Sequence, residues 1–283
     1  MGCVFCTPRR LYFISNMTNL QDNTQISFLD LPIYSTEGPE VRIIAERLQH
    51  LVGKHIDGIA QGIWCTKIEN LDRCVFPLKI TKIGTIGNMI WFDLEERILL
   101  IKHSRMSFWD TQLEPTPNNL AIELKIHDED SIFMKSKNRF VIAKIIKPQE
   151  LRTILTKIYS DIFNIDVSKA HEYFETAQQY QNKTVAEVLY SQTFIAGCGA
   201  NIISEALYCA KISPWRPINA IMILEWKALL GLLHGIAMRK LAFYHGAEEF
   251  LKIPQNDVIE NDNFIKDKCA KGLTIKWVPH VQL

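Results

Sequence analysis

The sequence predicts an α+β, multidomain chain, and three features of its texture carry that prediction. One amphipathic helical repeat opens the ordered part near Val41. Short β-branched and aromatic runs follow as far as Ile146. From Pro148 onward the apolar residues recur at helical spacing. Together these imply a β half with an initial helix, then a helical half.

The opening helix rests on Val41, Ile44, Leu48 and Leu51, which share one face, with Pro39 in the first turn and Gly53 as the stop. Lys79–Ile83, Met89–Leu94 and Arg97–His103 read as strands, with Glu95-Glu96 turning between the last two. Ile122, Leu124 and Ile126 alternate with Glu123 and Lys125, so that strand has one wet face. Phe140–Ile146 is a further strand, closed by Pro148. A helix followed by at least five strands implies a β-sandwich or flattened barrel. Helices are expected over Leu151–Phe163, Ser168–Tyr180, Thr184–Phe194, Ile202–Ala210 and Ile218–Tyr244, with a possible hairpin near Gly272. The expected divisions are an extension (1–35), a β-sandwich domain (36–150), a helical domain (151–255) and a tail (256–283).

With 47% hydrophobic and 22% charged residues the chain can bury real cores, which excludes a disordered protein. A net charge of +1 demands no polyanionic partner, so any nucleic-acid surface must come from local clustering. The seven cysteines are scattered and odd in number, as in a reducing compartment. Cys3-x-x-Cys6 is half of a zinc site with no second pair, so no metal and no other cofactor is expected. The apolar run from Ile218 to Phe243 carries Glu225, Lys227, His234, Arg239 and Lys240. A bilayer centre would penalise each acid or base by about 2.5–3.5 kcal/mol, which favours a buried helix. A soluble, intracellular protein is expected.

Three blocks, Thr36–Arg42, Ile101–Ser107 and Phe194–Pro217, together resemble the formamidopyrimidine-DNA glycosylase/endonuclease VIII family. Thr36-Glu37-Gly38-Pro39-Glu40 is similar to that family's opening before its first helix. Ile101-Lys102-His103-Ser104-Arg105-Met106-Ser107 resembles the strand and loop whose methionine fills the gap left by an everted nucleotide. Gly197-Cys198-Gly199-Ala200, with the helix after it and Ser213-Pro214-Trp215-Arg216-Pro217, resembles the helix–two-turn–helix signature. The resemblance implies a β-sandwich joined to a helical domain with that motif, and a terminal hairpin that here would be a vestigial, zincless finger.

In that family the N-terminal proline amine attacks the sugar of a damaged nucleotide. The matching residue is Thr36, whose nitrogen is a peptide amide delocalised into its carbonyl. The neighbouring family acid is retained as Glu37. On its own residues, Glu37 and Glu40 fall in the first turn of the opening helix, where carboxylates favour the positive end of its dipole. The family's phosphate-binding lysine is matched by Asn88, and its phosphate-binding asparagine by Ala200. Met106 and Glu205 keep their family residue types, and Leu273 stands where the finger arginine would be. Gly197 and Gly199 can present backbone N–H groups to a phosphate at a helix N-terminus, or serve as a tight interhelical turn. Val278 and Val281 replace the second cysteine pair of the zinc hairpin.

So many departures together predict a pseudoenzyme of base excision repair: a glycosylase-like chain that has lost catalysis. It would serve as a DNA-binding or protein-binding module, holding DNA weakly or non-specifically. One alternative is an active DNA glycosylase/AP lyase acting on oxidised bases once Thr36 is exposed. The other is a structural or assembly protein that reuses the fold. No membrane partner is expected.

Overall fold

The computed structural model describes residues 37–103, 107–110, 118–136, 141–245, 263–269 and 274–282. Helix α1 (Gly38–Arg47) carries Pro39 in its first turn and continues into a 3-10 turn over Leu48–Leu51, burying Val41, Ala45, Leu48 and Leu51. Strands β1 (His55–Gln61) and β2 (Leu78–Lys79) follow. Next come β3 (Lys82–Ile86), β4 (Met89–Leu94) and β5 (Arg97–Lys102). The β half is completed by β6 (Ser107–Asp110), β7 (Leu120–Ile126), β8 (Ile132–Ser136) and β9 (Ile142–Ile146).

These strands make two antiparallel sheets. One has the order β2-β1-β7-β8-β6 and the other β3-β4-β5-β9. Between them lies a core that includes Ile56, Phe92, Leu99, Ile122, Met134 and Ile145. β7 alternates as its sequence predicts, with Leu124 and Ile126 buried and Lys125 exposed. A register shift between Leu120 and Ile122 puts Ala121 and Ile122 both inside. β5 is buried along both faces, because α2 (Pro148–Leu155) covers the side away from the sandwich core.

The helical half holds β10 (Ser160–Asp161), α3 (Ala170–Gln178), α4 (Val185–Leu189) and β11 (Ile195–Ala196). It continues with α5 (Ala200–Cys209) and α6 (Ile223–Tyr244), and a terminal hairpin of β12 (Ile265–Lys268) and β13 (Thr274–Trp277). A second core includes Tyr173, Val188, Phe194, Ile203, Trp226, Leu230 and Ile275. Residues Pro32–Leu283 form one contact unit that contains both cores.

Three expected helices differ from the observed ones, and the last starts at Ile223 rather than Ile218, after a separate 3-10 turn over Ile218–Ala220. The predicted helix Leu151–Phe163 stops at Leu155, because Ser160–Asp161 pairs in parallel with Ile195–Ala196. The predicted helix Thr184–Phe194 stops at Leu189, and a turn carries the chain to β11. Its start is fixed by a capping box in which Thr184 and Glu187 satisfy each other's backbone N–H.

The hairpin is held by packing and backbone ties. Ile275 and Val278 are fully buried, and the Lys276 N–H donates to Ser204 Oγ on α5 at 3.0 Å. The Gln282 amide accepts from the Val278 N–H at 2.7 Å and donates to the Ile212 carbonyl at 3.0 Å. Among the described residues no group of three or more His, Cys, Asp or Glu could hold a metal ion. Cys3, Cys6 and Gly272 lie outside the described residues.

Candidate functional site

Among the described residues no helix is long and apolar enough to cross a membrane. The charges on α6 act instead as clamps. Glu225 pairs with Arg216 through both guanidinium nitrogens, at 2.7 and 3.0 Å. The His234 ring meets the Ile162 carbonyl at 3.0 Å. Arg239 reaches Glu205 at 3.5 Å, and Lys240 reaches Glu37 at 3.0 Å.

Glu37 sits at the N-cap position of α1, but its side chain does not cap that helix. Its carboxylate crosses to α5 instead. Oε1 accepts from the N–H groups of Asn201 and Ile202 at 2.7 and 3.1 Å, and Oε2 accepts from Lys240 Nζ at 3.0 Å. The expectation that Glu37 serves the dipole of its own helix is therefore corrected. It neutralises the positive end of α5, where unpaired N–H groups gather. Glu40, one turn on, accepts from Tyr244.

Glycines create the space. A Cβ on Gly199 would lie 2.2 Å from Glu37 Cγ and 2.6 Å from its Oε1, so only glycine admits the carboxylate there. Gly197 has φ +93°, a backbone conformation that favours glycine, and its carbonyl accepts from the Gly38 N–H at 3.0 Å. Gln192, buried below, accepts from the Gly197 N–H at 2.9 Å and donates to the Cys198 carbonyl at 3.0 Å.

The turn between β3 and β4 abuts the same place. A Cβ on Gly87 would lie 2.8 Å from Ala196 Cβ, and the Gly87 N–H donates to Asp161 Oδ2 at 2.8 Å. Burial raises the Asp161 carboxyl, against the N–H donors of Phe163 and Gly87 that lower it. Asn88 follows in this turn and is 2% exposed, its Nδ2 without a partner among the described residues. Its carbonyl accepts from the N–H of His103, a ring buried beside Ser107 Oγ at 3.1 Å with Nε2 likewise unpartnered. Burial lowers the His103 imidazole to about 3.

Thus Glu37, Gly197, Gly199 and Ala200 converge at the head of α5, with the turn of Asn88 alongside. Glu205 lies farther along α5, buried against Arg239. Thr36, Met106 and Leu273 lie outside the described residues. The sequence pattern did not reveal Lys240, Arg239, Gln192, Asp161 or His103. Its one available signal was the presence of Arg239 and Lys240 within an apolar helix.

No family model matches the chain. The formamidopyrimidine-DNA glycosylase of Lactobacillus delbrueckii is 24% identical over 203 residues, covering 65% of this chain and 70% of that one. The enzyme of the same name from Lactococcus lactis is 27% identical over 197 residues, with the same coverage. A solved structure of Lactococcus lactis formamidopyrimidine-DNA glycosylase, non-covalently bound to DNA containing an AP site, superposes with a TM-score of 0.72 at 20% identity. It covers 87% of this chain and 99% of that one. A complex of the Lactococcus protein with THF-DNA and an inhibitor gives a TM-score of 0.72 at 19% identity, over 88% and 100%. The two-sheet half, the helical half and the glycine-lined helix head thus give this chain the fold of the formamidopyrimidine-DNA glycosylases, to which its sequence is also similar.

Proposed function

We propose that the chain is a DNA-binding protein of glycosylase descent in which the family reaction no longer runs through the nitrogen of residue 36. The seat of Glu37 carries the proposal. Both of its oxygens are engaged inside the protein, one by the head of α5 and one by Lys240, and the residue before it offers an amide rather than an amine. The likeness to solved complexes with abasic-site DNA, over almost the full length of that protein, supports DNA as the partner. The buried, uncharged Asn88 supports weak binding with few phosphates neutralised.

Fluorescence anisotropy with the full chain and a labelled duplex tests this across a salt series. Salt-sensitive binding is expected, with a log–log slope of about −0.9 per phosphate neutralised. No binding at low salt would sink it and leave the structural or assembly role in its place.

One observation favours a second function, that of a processed glycosylase/AP lyase. Cleavage between Ser35 and Thr36 would expose an α-amine next to a carboxylate already held by three donors. Intact mass of the native protein decides whether Thr36 is ever an N-terminus.

A further inference from the structure

A cavity of about 420 Å³ opens between β10, the turns after it and α3, with Ile86 of β3 at one end. That volume falls within the ~300–1,000 Å³ of small-molecule sites. Apart from Asp161, its lining is not shared with the head of α5. Tyr159 forms one wall and is 43% exposed. Its ring is nevertheless fixed, stacked on Phe194 at 5.9 Å and 9°, and met edge-on by Tyr173 at 5.1 Å. An aromatic ring held rigid and left open offers its π-face to a cation.

Two buried hydroxyls, on Ser160 and Tyr173, also line the cavity. Ser160 Oγ and Tyr173 Oη lie 2.7 Å apart, and Ser160 Oγ donates to the Asp161 carbonyl at 3.2 Å. A hydroxyl carries one proton, so both contacts are made only if Tyr173 donates to Ser160 and Ser160 to the carbonyl. Both protons are then spent inside the protein, and what Tyr173 Oη has left to offer is an acceptor, on a residue 5% exposed. Charge at the rim points the same way. Asp166 Oδ1 accepts from the Ser168 hydroxyl and N–H at 2.6 and 3.0 Å, and these bonds hold its carboxyl below the usual range. Glu172, in the first turn of α3, adds a second carboxylate against the single ammonium of Lys169. Asp161, buried at the inner end, already accepts from the N–H groups of Phe163 and Gly87. A phosphate would meet acceptors and carboxylates here, so a DNA backbone does not fit. The matching ligand donates hydrogen bonds and carries positive charge on an apolar stem.

We propose that this cavity binds an alkyl diamine. One ammonium donates to Tyr173 Oη and lies against the Tyr159 ring, and the other pairs with Glu172 and Asp166 at the mouth. The assignment does not depend on the chain binding DNA.

Isothermal titration calorimetry of the full 283-residue chain with 1,4-diaminobutane tests it. Saturable one-to-one binding is expected, about 2–5-fold tighter than for 1-aminobutane, which lacks the second charge. Tyr173→Phe keeps the ring and removes the acceptor, and should weaken both amines by about 10-fold. Glu172→Gln should weaken the diamine by about 2–5-fold and leave 1-aminobutane unchanged. Because Glu172 is exposed, that variant keeps the test decisive even if Tyr173→Phe fails to fold. 4-Aminobutanoate, whose second end is negative, should bind more weakly than 1-aminobutane. No saturable heat, equal affinity for the two amines, or a diamine affinity unmoved by Glu172→Gln overturns the proposal. Tighter binding of 4-aminobutanoate would overturn it too, by making Lys169 the partner of the second end.

Discussion

Tyr244 Oη donates to Glu40 Oε1 at 2.7 Å, joining the last turn of α6 to the first turn of α1. The other oxygen of Glu40 is buried without a partner among the described residues. Burial raises the Glu40 carboxyl above its ordinary 4.5, and the nearby Glu37 raises it further. The Tyr244 hydroxyl and the Lys240 charge oppose the rise without cancelling it. Burial and Glu40 in turn push the Tyr244 hydroxyl up.

A raised carboxyl means that the folded state holds its proton at a pH where the unfolded state has released it. The Glu40 contribution is therefore full below pH 4.5 and is lost as pH rises through its folded value. Glu40→Gln should flatten that part of the curve and leave the protein at least as stable at neutral pH. Melting temperatures from pH 4 to 8 check this, and an unchanged slope in the variant would count against it.

His103 acts with the opposite sign. Its ring titrates near 3 when folded and near 6.5 when free, so acid favours the unfolded state between those values. His103→Gln should remove up to about 1.4 kcal/mol of stability change per pH unit in that window. Just above pH 4.5 the two residues pull against each other, so single and double variants should be compared by urea denaturation.

Gly199→Ala should destabilise the fold by about 1–3 kcal/mol, the usual cost of overpacking, because the new methyl meets Glu37. In a Glu37→Ala background the added cost should shrink, since the colliding carboxylate is gone. Equal costs in both backgrounds, measured by chemical denaturation, would show that Glu37 is not what excludes a side chain there.

Arg216→Lys should cost roughly 1–2 kcal/mol, because lysine cannot reproduce the two-pronged contact with Glu225 and the 2.6 Å bond to the Ala220 carbonyl. The loss should appear as earlier thermal unfolding. A melting temperature equal to that of the parent chain would refute the clamp.

What the sequence revealed of the fold was what local pattern encodes. β7 showed itself through the alternation of Ile122, Leu124 and Ile126, and α1 through Pro39 and its apolar stripe. β1 stayed hidden because Gly58 and a register shift break its alternation. The helix drawn to Phe163 was too long because Ile158, Ile162 and Phe163 keep helical spacing with Leu151. Their neighbours Ser160 and Asp161 are nevertheless claimed by a parallel pairing with Ile195 and Ala196, thirty-five residues on, a partner no local window sees. The site divides the same way. Gly197 and Gly199 were visible as a motif, and their purpose was not, because the carboxylate they admit, Glu37, and its partner Lys240 come from positions far away in the sequence.

The junction at Glu37 also bears on how the protein is made. The ribosome releases Glu37 early, but its partners Asn201, Ile202 and Lys240 emerge 164 to 203 residues later. The β half can collapse on its own core during synthesis, since domains generally fold as units from the N-terminal end. Its opening carboxylate stays in water until α6 has cleared the exit tunnel. Truncated nascent chains ending before Asn201 should therefore carry a formed sandwich and an unlatched start.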